Sequence, residues 1–517
     1  MPTYAYPGVY IEEIPSQVRA IAGVSTSDTA FVDFFARGPM NTAVRLTSFG
    51  DFERVFGGLD RRSEASYGIQ QYYRNGGRNA WVVRVAAGTP GKSTRTLQGG
   101  SPLQNTLRVD AANEGVWGDQ LQVAVVQAPN GRFNLVVREV RGSAPQLQIV
   151  AIETHLNLTM NQTDARYAVS AVNQASALVT LADVGLGDAP TATAPLPNGT
   201  VPEAAFQPLT GGADGNSPDS NALLGSQSTK TGMYALERIE PFIFNILCIP
   251  AAAALTTGMT TVYEDAAKFC QDKRAFLIVD IPSTVATVDG MVSFMNTNSG
   301  LRDRNAAIYF PRIDITDPLN ENRPRNAGAS GTMAGVYARI DSTRGVWKAP
   351  AGTEATLTGA ALAVTLTDAE NGTLNPLGLN VLRNFPIFGN VSWGARTLDG
   401  ADQQASEWKY IPVRRFALYI EESLFQGTKW AVFEPNGETL WGQLRLNIGA
   451  FMQNLFRQGA FKGTTPKEAY FVKVDAETTT QTDIDLGVVN IIVGFAPLKP
   501  AEFVVIKIQQ MTAQTEA

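Results

Sequence analysis

Three short apolar runs with no hydrophilic face constrain this chain most. They are Phe242-Ile243-Phe244-Asn245-Ile246-Leu247-Cys248-Ile249, Ala275-Phe276-Leu277-Ile278-Val279 and Ala306-Ala307-Ile308-Tyr309-Phe310. None shows the polar–apolar alternation of a strand that faces water on one side. Val262 to Arg274, between the first two, has helical periodicity, and a second helical stretch precedes the third. Two-sided apolar strands alternating with helices predict a parallel sheet covered by helices. A further helix is expected from Gly331 to Ile340.

The rest of the chain reads as several domains, since 517 residues correspond to roughly three domains of usual size. Residues 1–25 read as an extended arm. Tyr4, Tyr6, Val9, Tyr10 and Ile11 favour strand, and Pro2, Pro7 and Pro15 forbid helix. Such an arm docks on its own domain or adds to the sheet of another subunit.

Residues 26–100 start with a compact α/β unit. Its expected elements are a strand at Thr29–Phe34, a helix over Ser48–Phe56 with Ser48 as N-cap, a helix over Tyr67–Tyr73 and a strand at Ala80–Val85. Gly88 to Pro102 reads as a linker. Residues 101–212 form an inserted β-rich domain. In it Pro129-Asn130-Gly131 joins the apolar strands Gln120–Val126 and Arg132–Arg138, a strong hairpin signal. Further strands are expected around Gln148–Ile152 and Ala177–Leu181. Residues 213–352 hold the α/β pattern above.

Residues 353–499 form a last domain. Its expected elements are strands at Asn380–Arg383 and Ile387–Trp393 and a helix over Tyr410–Gln426. A second helix starts at Asn436 and carries Trp441, Leu444, Ile448, Met452 and Leu455 on one stripe. Gln443, Asn447, Asn454 and Arg457 lie away from that stripe. Residues 500–517 hold an apolar strand, Glu502 to Ile508, at the end of the chain. Two such terminal strands, left unpaired, are an aggregation liability that a lattice of identical subunits resolves.

Composition narrows the function. The 44% hydrophobic and 17% charged fractions are globular, and a net charge of −6 argues against a nucleic-acid binder. No apolar run is long enough to cross a membrane, and the first residues do not resemble a signal peptide. Cys248 and Cys270 read as buried small hydrophobes. With one histidine, His155, no multi-histidine metal site is available within a chain.

Catalytic templates fail. Gly328-Ala329-Ser330-Gly331-Thr332 lacks the last glycine of a nucleophile elbow, and Ser228-Thr229-Lys230-Thr231 lacks the glycine that precedes a P-loop lysine. Asp314 and Asp317 sit at a strand end, where α/β sites occur, but such residues are commonly caps. Asp110, Asn113, Glu114 and Asp119 form a loose oxygen cluster without calcium-loop spacing. No catalytic residue, cofactor or metal is assigned. The competing readings are a hydrolase using residues 213–352, with carboxylates near Asp280 and Asp314, and a monomeric binding protein built on the β domain.

Several segments resemble the contractile tail sheath family, which includes phage tail sheaths and those of phage-tail-like injection systems. These are Tyr6-Pro7-Gly8-Val9-Tyr10-Ile11-Glu12-Glu13, Gly335–Asp341 with Gly345–Gly352, Phe433-Glu434-Pro435-Asn436, Leu440-Trp441, Gly459-Ala460-Phe461 and Pro500–Val504. The resemblance covers about 1–90 and 330–517 and is looser between.

It implies an α/β and β multidomain fold. An α+β sheath core is built from both chain ends, with inserted β-rich and α/β domains and extended terminal β-arms. It also implies a structural subunit that polymerises with itself, as hexameric rings or a six-start helix, around an inner tube between a baseplate and a terminal cap. Contraction then drives the tube through a target envelope. No nucleic acid and no direct membrane insertion are implied. Such a subunit is assembled in the bacterial cytoplasm as part of a phage tail or a phage-tail-like particle.

By the same resemblance, Thr3–Ile14 and Ala501–Met511 are donated strands, the latter through Phe503, Val504, Val505, Ile506 and Ile508. Ala469–Val474 is a receiving strand through Tyr470, Phe471, Val472 and Val474, with Val488–Val493 as a second. The helix Asn436–Arg457 is the expected tube-side element, with Arg445, Arg457 and Lys462 facing acidic tube groups.

Overall fold

The apolar runs pair side by side in an eight-stranded sheet of the computed structural model, which describes residues 19–142, 146–185, 187–194 and 201–507. The strand order is Gly389–Ser392, Asn380–Phe385, Ala306–Phe310, Phe276–Val279, Ile246–Cys248, Thr29–Asp33, Ala80–Arg84 and Ala43–Leu46. The inner six run parallel, and the two edge strands are antiparallel. Every residue of Thr29–Asp33, Phe276–Val279 and Ala306–Phe310 is buried. This explains the absence of a polar face in those runs.

Both sheet faces are covered. Ala30, Val32, Leu247, Leu277 and Ile308 share a core with Val262 and Ala266 of the Met259–Asp272 helix and with Met291 and Met295 of the Val288–Thr297 helix. The alternate residues face the other way. Phe31 meets Tyr72 of the Glu64–Arg74 helix, and Phe276 and Tyr309 meet Tyr337 of the Ser330–Arg344 helix. Gly331 lies against the backbone of Gly68, where an added Cβ would overlap it. The two helices are therefore seated together through glycines.

The sheet changes the expected organisation. Thr29–Asp33 sits between Ile246–Cys248 and Ala80–Arg84, and Asn380–Phe385 pairs with Ala306–Phe310. Residues 26–100, 213–352 and the first part of 353–499 thus share one sheet rather than forming separate domains. The described backbone divides instead into two units. The larger holds Ser27–Thr343 and Pro350–Ile411, and the smaller holds the chain up to Thr26, Arg344–Ala349 and the chain from Pro412. Parallel neighbours are linked by long crossovers, so local periodicity cannot reveal the pairing. One such tie, Asp28 N to Asn245 Oδ1 at 3.0 Å, spans 217 residues.

The β-rich insertion belongs to the larger unit. One sheet orders Thr94–Gly99, Gln104–Ala111 and Val179–Asp183. The other orders Gln207–Pro208, Leu121–Gln127, Phe133–Arg141 and Gln148–Leu158. Asn130 (φ 61°) and Gly131 (φ 70°) take the left-handed conformations that the hairpin needs. Both sheets contribute to one core, which includes Leu107, Val109, Val123, Val125, Leu135 and Val137. The expected linker Gly88–Pro102 contains the strand Thr94–Gly99. That strand buries only Leu97 among its large apolar side chains, too few to give a periodic signal. Of the run Phe242–Ile249, only Ile246–Cys248 is strand.

The smaller unit is built on two long helices, Ile411–Gly427 and Glu438–Arg457, and one strand pair, Tyr470–Lys473 with Ile492–Phe495. The second helix buries the expected stripe together with Leu440, Phe451 and Asn447. Asn447 was expected to face away. It is buried because its Oδ1 accepts Arg19 N at 3.2 Å. Residues 19–26 run along these helices. Val24 N donates to Ser423 Oγ at 3.2 Å, Arg415 donates to Thr26 O at 2.8 Å, and Ile21 packs where Gly427 leaves room. The two ends of the chain therefore share one core.

A larger side chain at the helix crossing of the larger unit should act as overpacking. Gly331→Val is expected to lower stability by about 1–3 kcal/mol, read as an earlier urea midpoint at unchanged slope.

Candidate functional site

Phe416 is the centre of an aromatic cluster under the strand pair of the smaller unit. Its ring centroid lies 5.7 Å from Trp347, 5.3 Å from Phe461 and 5.5 Å from Phe495. Tyr470 stacks 5.9 Å from Phe461 and donates its hydroxyl to Gln453 Oε1 at 2.8 Å. Strand alternation follows from this seat. Tyr470 and Val472 pack on the cluster, and Val474 is buried with Leu440, Trp441 and Leu444. Phe471 points away, 56% exposed, and its ring lies over Gly494, where any Cβ would collide with it. Ile492 is half exposed.

The pair is a two-stranded sheet, and among the described residues neither outer edge has a further strand. An isolated ribbon of this size is marginal, and its edges present unpaired backbone N–H and C=O groups. Of the segment Ala469–Val474, expected to receive a strand, Tyr470–Lys473 is strand. Its partner is Ile492–Phe495, later than the expected Val488–Val493. Val488 lies in the preceding turn, donating its N–H to Asp483 O and accepting from Asn436 Nδ2 at 3.0 Å. Asn436 Oδ1 also accepts Trp441 Nε1 at 2.9 Å. The asparagine of Phe433-Glu434-Pro435-Asn436 thereby ties the start of the helix to the loop before the second strand.

The chain then runs on past the strand pair. Phe503, Val504, Val505 and Ile506 are 76%, 82%, 77% and 79% exposed, and residues 501–507 carry no secondary structure. Four consecutive large apolar side chains in solvent and a sheet with unfilled edges stand together in one unit. Tyr4, Tyr6, Val9, Tyr10, Ile11 and Ile508 lie outside the described residues.

Residues 403–511 match the family model of the phage tail sheath C-terminal domain. This part of the chain is similar to a tail sheath domain.

The wider comparisons agree with it. The chain is 26% identical over 236 residues to a Pseudomonas aeruginosa (strain UCBPP-PA14) prophage major tail sheath protein, covering 44% of this chain and 56% of that one. It is 25% identical over 264 residues to the tail sheath protein of Vibrio phage KVP40, covering 47% and 38%. The matched region thus spans about half the length of these relatives, or less. Among solved structures, the sheath complex of an extracellular contractile injection system in its contracted state superposes with a TM-score of 0.59. It covers 99% of both chains at 22% identity, a likeness of fold.

The three basic residues expected to face an inner tube stand differently. Arg445 donates to Val474 O and to Glu438, so it holds the helix to the strand end and is committed within the subunit. Arg457 is exposed at the helix C-terminus, about 120° around the helix from Arg445. Lys462 is exposed just beyond, and its N–H donates to Ala496 O at 3.0 Å. The outward face of the helix includes Thr439, Leu446, Ala450, Asn454 and Arg457.

One exposed residue escaped the sequence reading. Phe433 is fully exposed at φ 69°, a backbone region that a bulky side chain rarely enters. The only signal was the motif it opens.

The carboxylates of the larger unit act as caps. Asp317 accepts Tyr67 Oη at 2.7 Å and Leu319 N at 2.9 Å, and Asp314 accepts Asn326 Nδ2 at 3.1 Å. Asp280 accepts Ser330 N at 2.9 Å, at the start of a helix. In open α/β sheets, ligands enter where strand order reverses, here between Thr29–Asp33 and Ile246–Cys248. The turn Pro250–Ala254 packs there against Thr29–Asp33 and Glu64–Arg74. Asp110 pairs with Arg108, and Asp119 accepts Ser93 Oγ at 2.7 Å. Among the described residues no cluster of three metal-ligating side chains occurs. His155 pairs with Glu153 at 3.3 Å, and both cysteines are buried thiols.

Because Phe416 packs against Trp347, Tyr419, Phe461 and Phe495, Phe416→Ala should cost about 3–5 kcal/mol in the smaller unit. The expected sign is a lower-temperature transition for this domain in calorimetry, with the larger unit unmoved.

Proposed function

We propose that this chain is a structural subunit of a contractile sheath. It polymerises with itself as hexameric rings or a six-start helix around an inner tube, between a baseplate and a terminal cap, and drives the tube through a target envelope. The observation that carries this reading is the unfilled strand pair beside the exposed segment Phe503–Ile506. An apolar strand from one copy fills the edge of another, and the contact propagates because donor and acceptor are different surfaces. Backbone hydrogen bonds make the join, so the partner's side chains need not match closely. The terminal segments, with Thr3–Ile14 as the second donor, tether copies while folded units repack between two arrangements.

The work is mechanical, with no catalytic group assigned. Assembly takes place in the bacterial cytoplasm, and the product is a phage tail or a phage-tail-like particle. The family-model match and the full-length fold likeness support this reading. No described helix is long and apolar enough to cross a membrane.

Deleting residues 501–517, or introducing Val504→Pro, should leave a folded chain of unchanged melting temperature that forms no long striated tubes in negative-stain images. Tubes of normal length from both variants overturn the strand-donation reading. On the tube side, Arg457→Glu with Lys462→Glu should reduce assembly templated on purified inner tube while leaving the melting temperature unchanged. Normal templated assembly removes these residues from the tube surface.

A further inference from the structure

Phe433 stands wholly in solvent on a turn that suits glycine better. Glu434 N donates to Ala431 O at 3.2 Å, and between them Val432 has φ −67° and ψ 131° and Phe433 has φ 69°. That is the form of a type II turn, whose third residue is ordinarily glycine. A bulky residue keeps such a backbone only where its surroundings impose it. Both flanks are fixed here. Trp430 and Ala431 pack with Leu440, Trp441 and Leu444, and Asn436 is tied to Val488 and Trp441. The loop is a firm mount that presents an aromatic ring outward, with Glu434 exposed beside it.

The same unit carries an uncovered apolar face. Tyr470, Val472, Val493 and Phe495 turn toward the aromatic cluster, so Phe471, Lys473, Ile492 and Gly494 share the opposite face of the strand pair. Phe471 and Ile492 are exposed there. Lys473 lies opposite Ile492, and its ammonium meets Glu477 in an exposed pair of the kind that contributes little. Strand addition at the edges does not close this face. A donated strand turns alternate side chains to either side, so Phe503–Ile506 adds two more apolar residues to it.

We propose that Phe433 and Glu434 of one copy dock on this face of a second copy, Phe433 against Phe471 and Ile492, and Glu434 toward Lys473. The contact rests on the sheath reading above and adds to it a join made by side chains.

Complementary chemistry selects a second copy as the occupant. The knob is an aromatic ring beside an acid, and the face is two apolar side chains beside a base. Both surfaces recur on every copy at different places, so the contact is heterologous and propagates from subunit to subunit. A ring already held in its docking position loses little freedom on binding, which is how a single aromatic anchor comes to carry much of an interface. The turn bears the strain of a phenylalanine because the ring is used outside its own subunit.

Cross-linking of assembled full-length chain tests this. Tubes of Phe433→Cys/Ile492→Cys treated with a short thiol-to-thiol reagent should give a ladder of covalent multimers, and either single variant should give none. Cys248 and Cys270 are buried and stay silent. Wild-type chain that forms no tubes overturns both the contact and the sheath reading, whereas tubes without a ladder overturn the contact alone. Phe433→Gly provides a second arm that does not depend on the cysteines. It relieves the turn, so its melting temperature should equal or exceed that of the wild type. The concentration needed for tubes should rise about tenfold. An unchanged threshold overturns the contact; if templating on purified inner tube is then lost, the ring serves the tube instead. Glu434→Lys and Lys473→Glu should each raise the threshold and together restore it in part. Losses that simply add overturn the pairing of these two charges.

Discussion

The structure turns on the unmet backbone valence of one strand pair. Tyr470–Lys473 and Ile492–Phe495 satisfy each other along one side and leave the outer edges open. A ribbon of two short strands does not persist alone in water. Here it is held from below by Phe416, Phe461, Phe495 and Tyr470. That seat fixes which side chains turn inward. Once the side chains are used, only backbone edges remain for another strand, and backbone edges accept almost any extended apolar segment. The exposed Phe503–Ile506 is of that kind.

The larger unit follows the opposite rule. Its parallel strands are buried on both faces, and the polar groups at their ends are spent on helix caps and buried pairs.

Much of this was legible locally. The runs around Ile246–Cys248, Phe276–Val279 and Ala306–Phe310 announced a covered parallel sheet because a two-sided environment removes every polar residue. Asn130-Gly131 announced its hairpin because both residues adopt positive φ cheaply. The stripe from Trp441 to Leu455 announced its helix because burial on one side recurs every three to four residues. Thr94–Gly99 was illegible because an edge strand burying one large side chain has no period. Asn447 read as surface because its partner, the Arg19 amide, lies 428 residues away. Arg445 read as a charge for a partner, and its bonds to Val474 O and Glu438 were not legible in the sequence.

By itself, then, the sequence determined the kinds of element, the apolar character of the terminal strands, the absence of catalytic templates and the resemblance that names the assembly. Each of these rests on residues adjacent in the chain or one helical turn apart, where sterics and periodic burial act directly. The tertiary structure alone decided that residues 29–84, 246–310 and 380–392 share one sheet. It alone decided that the chain divides at Pro412 rather than at 353, that Tyr470–Lys473 pairs with Ile492–Phe495, and which arginines remain exposed. Those outcomes depend on long-range pairing and on competition for hydrogen-bond partners. Neither leaves a trace in the local order of residues.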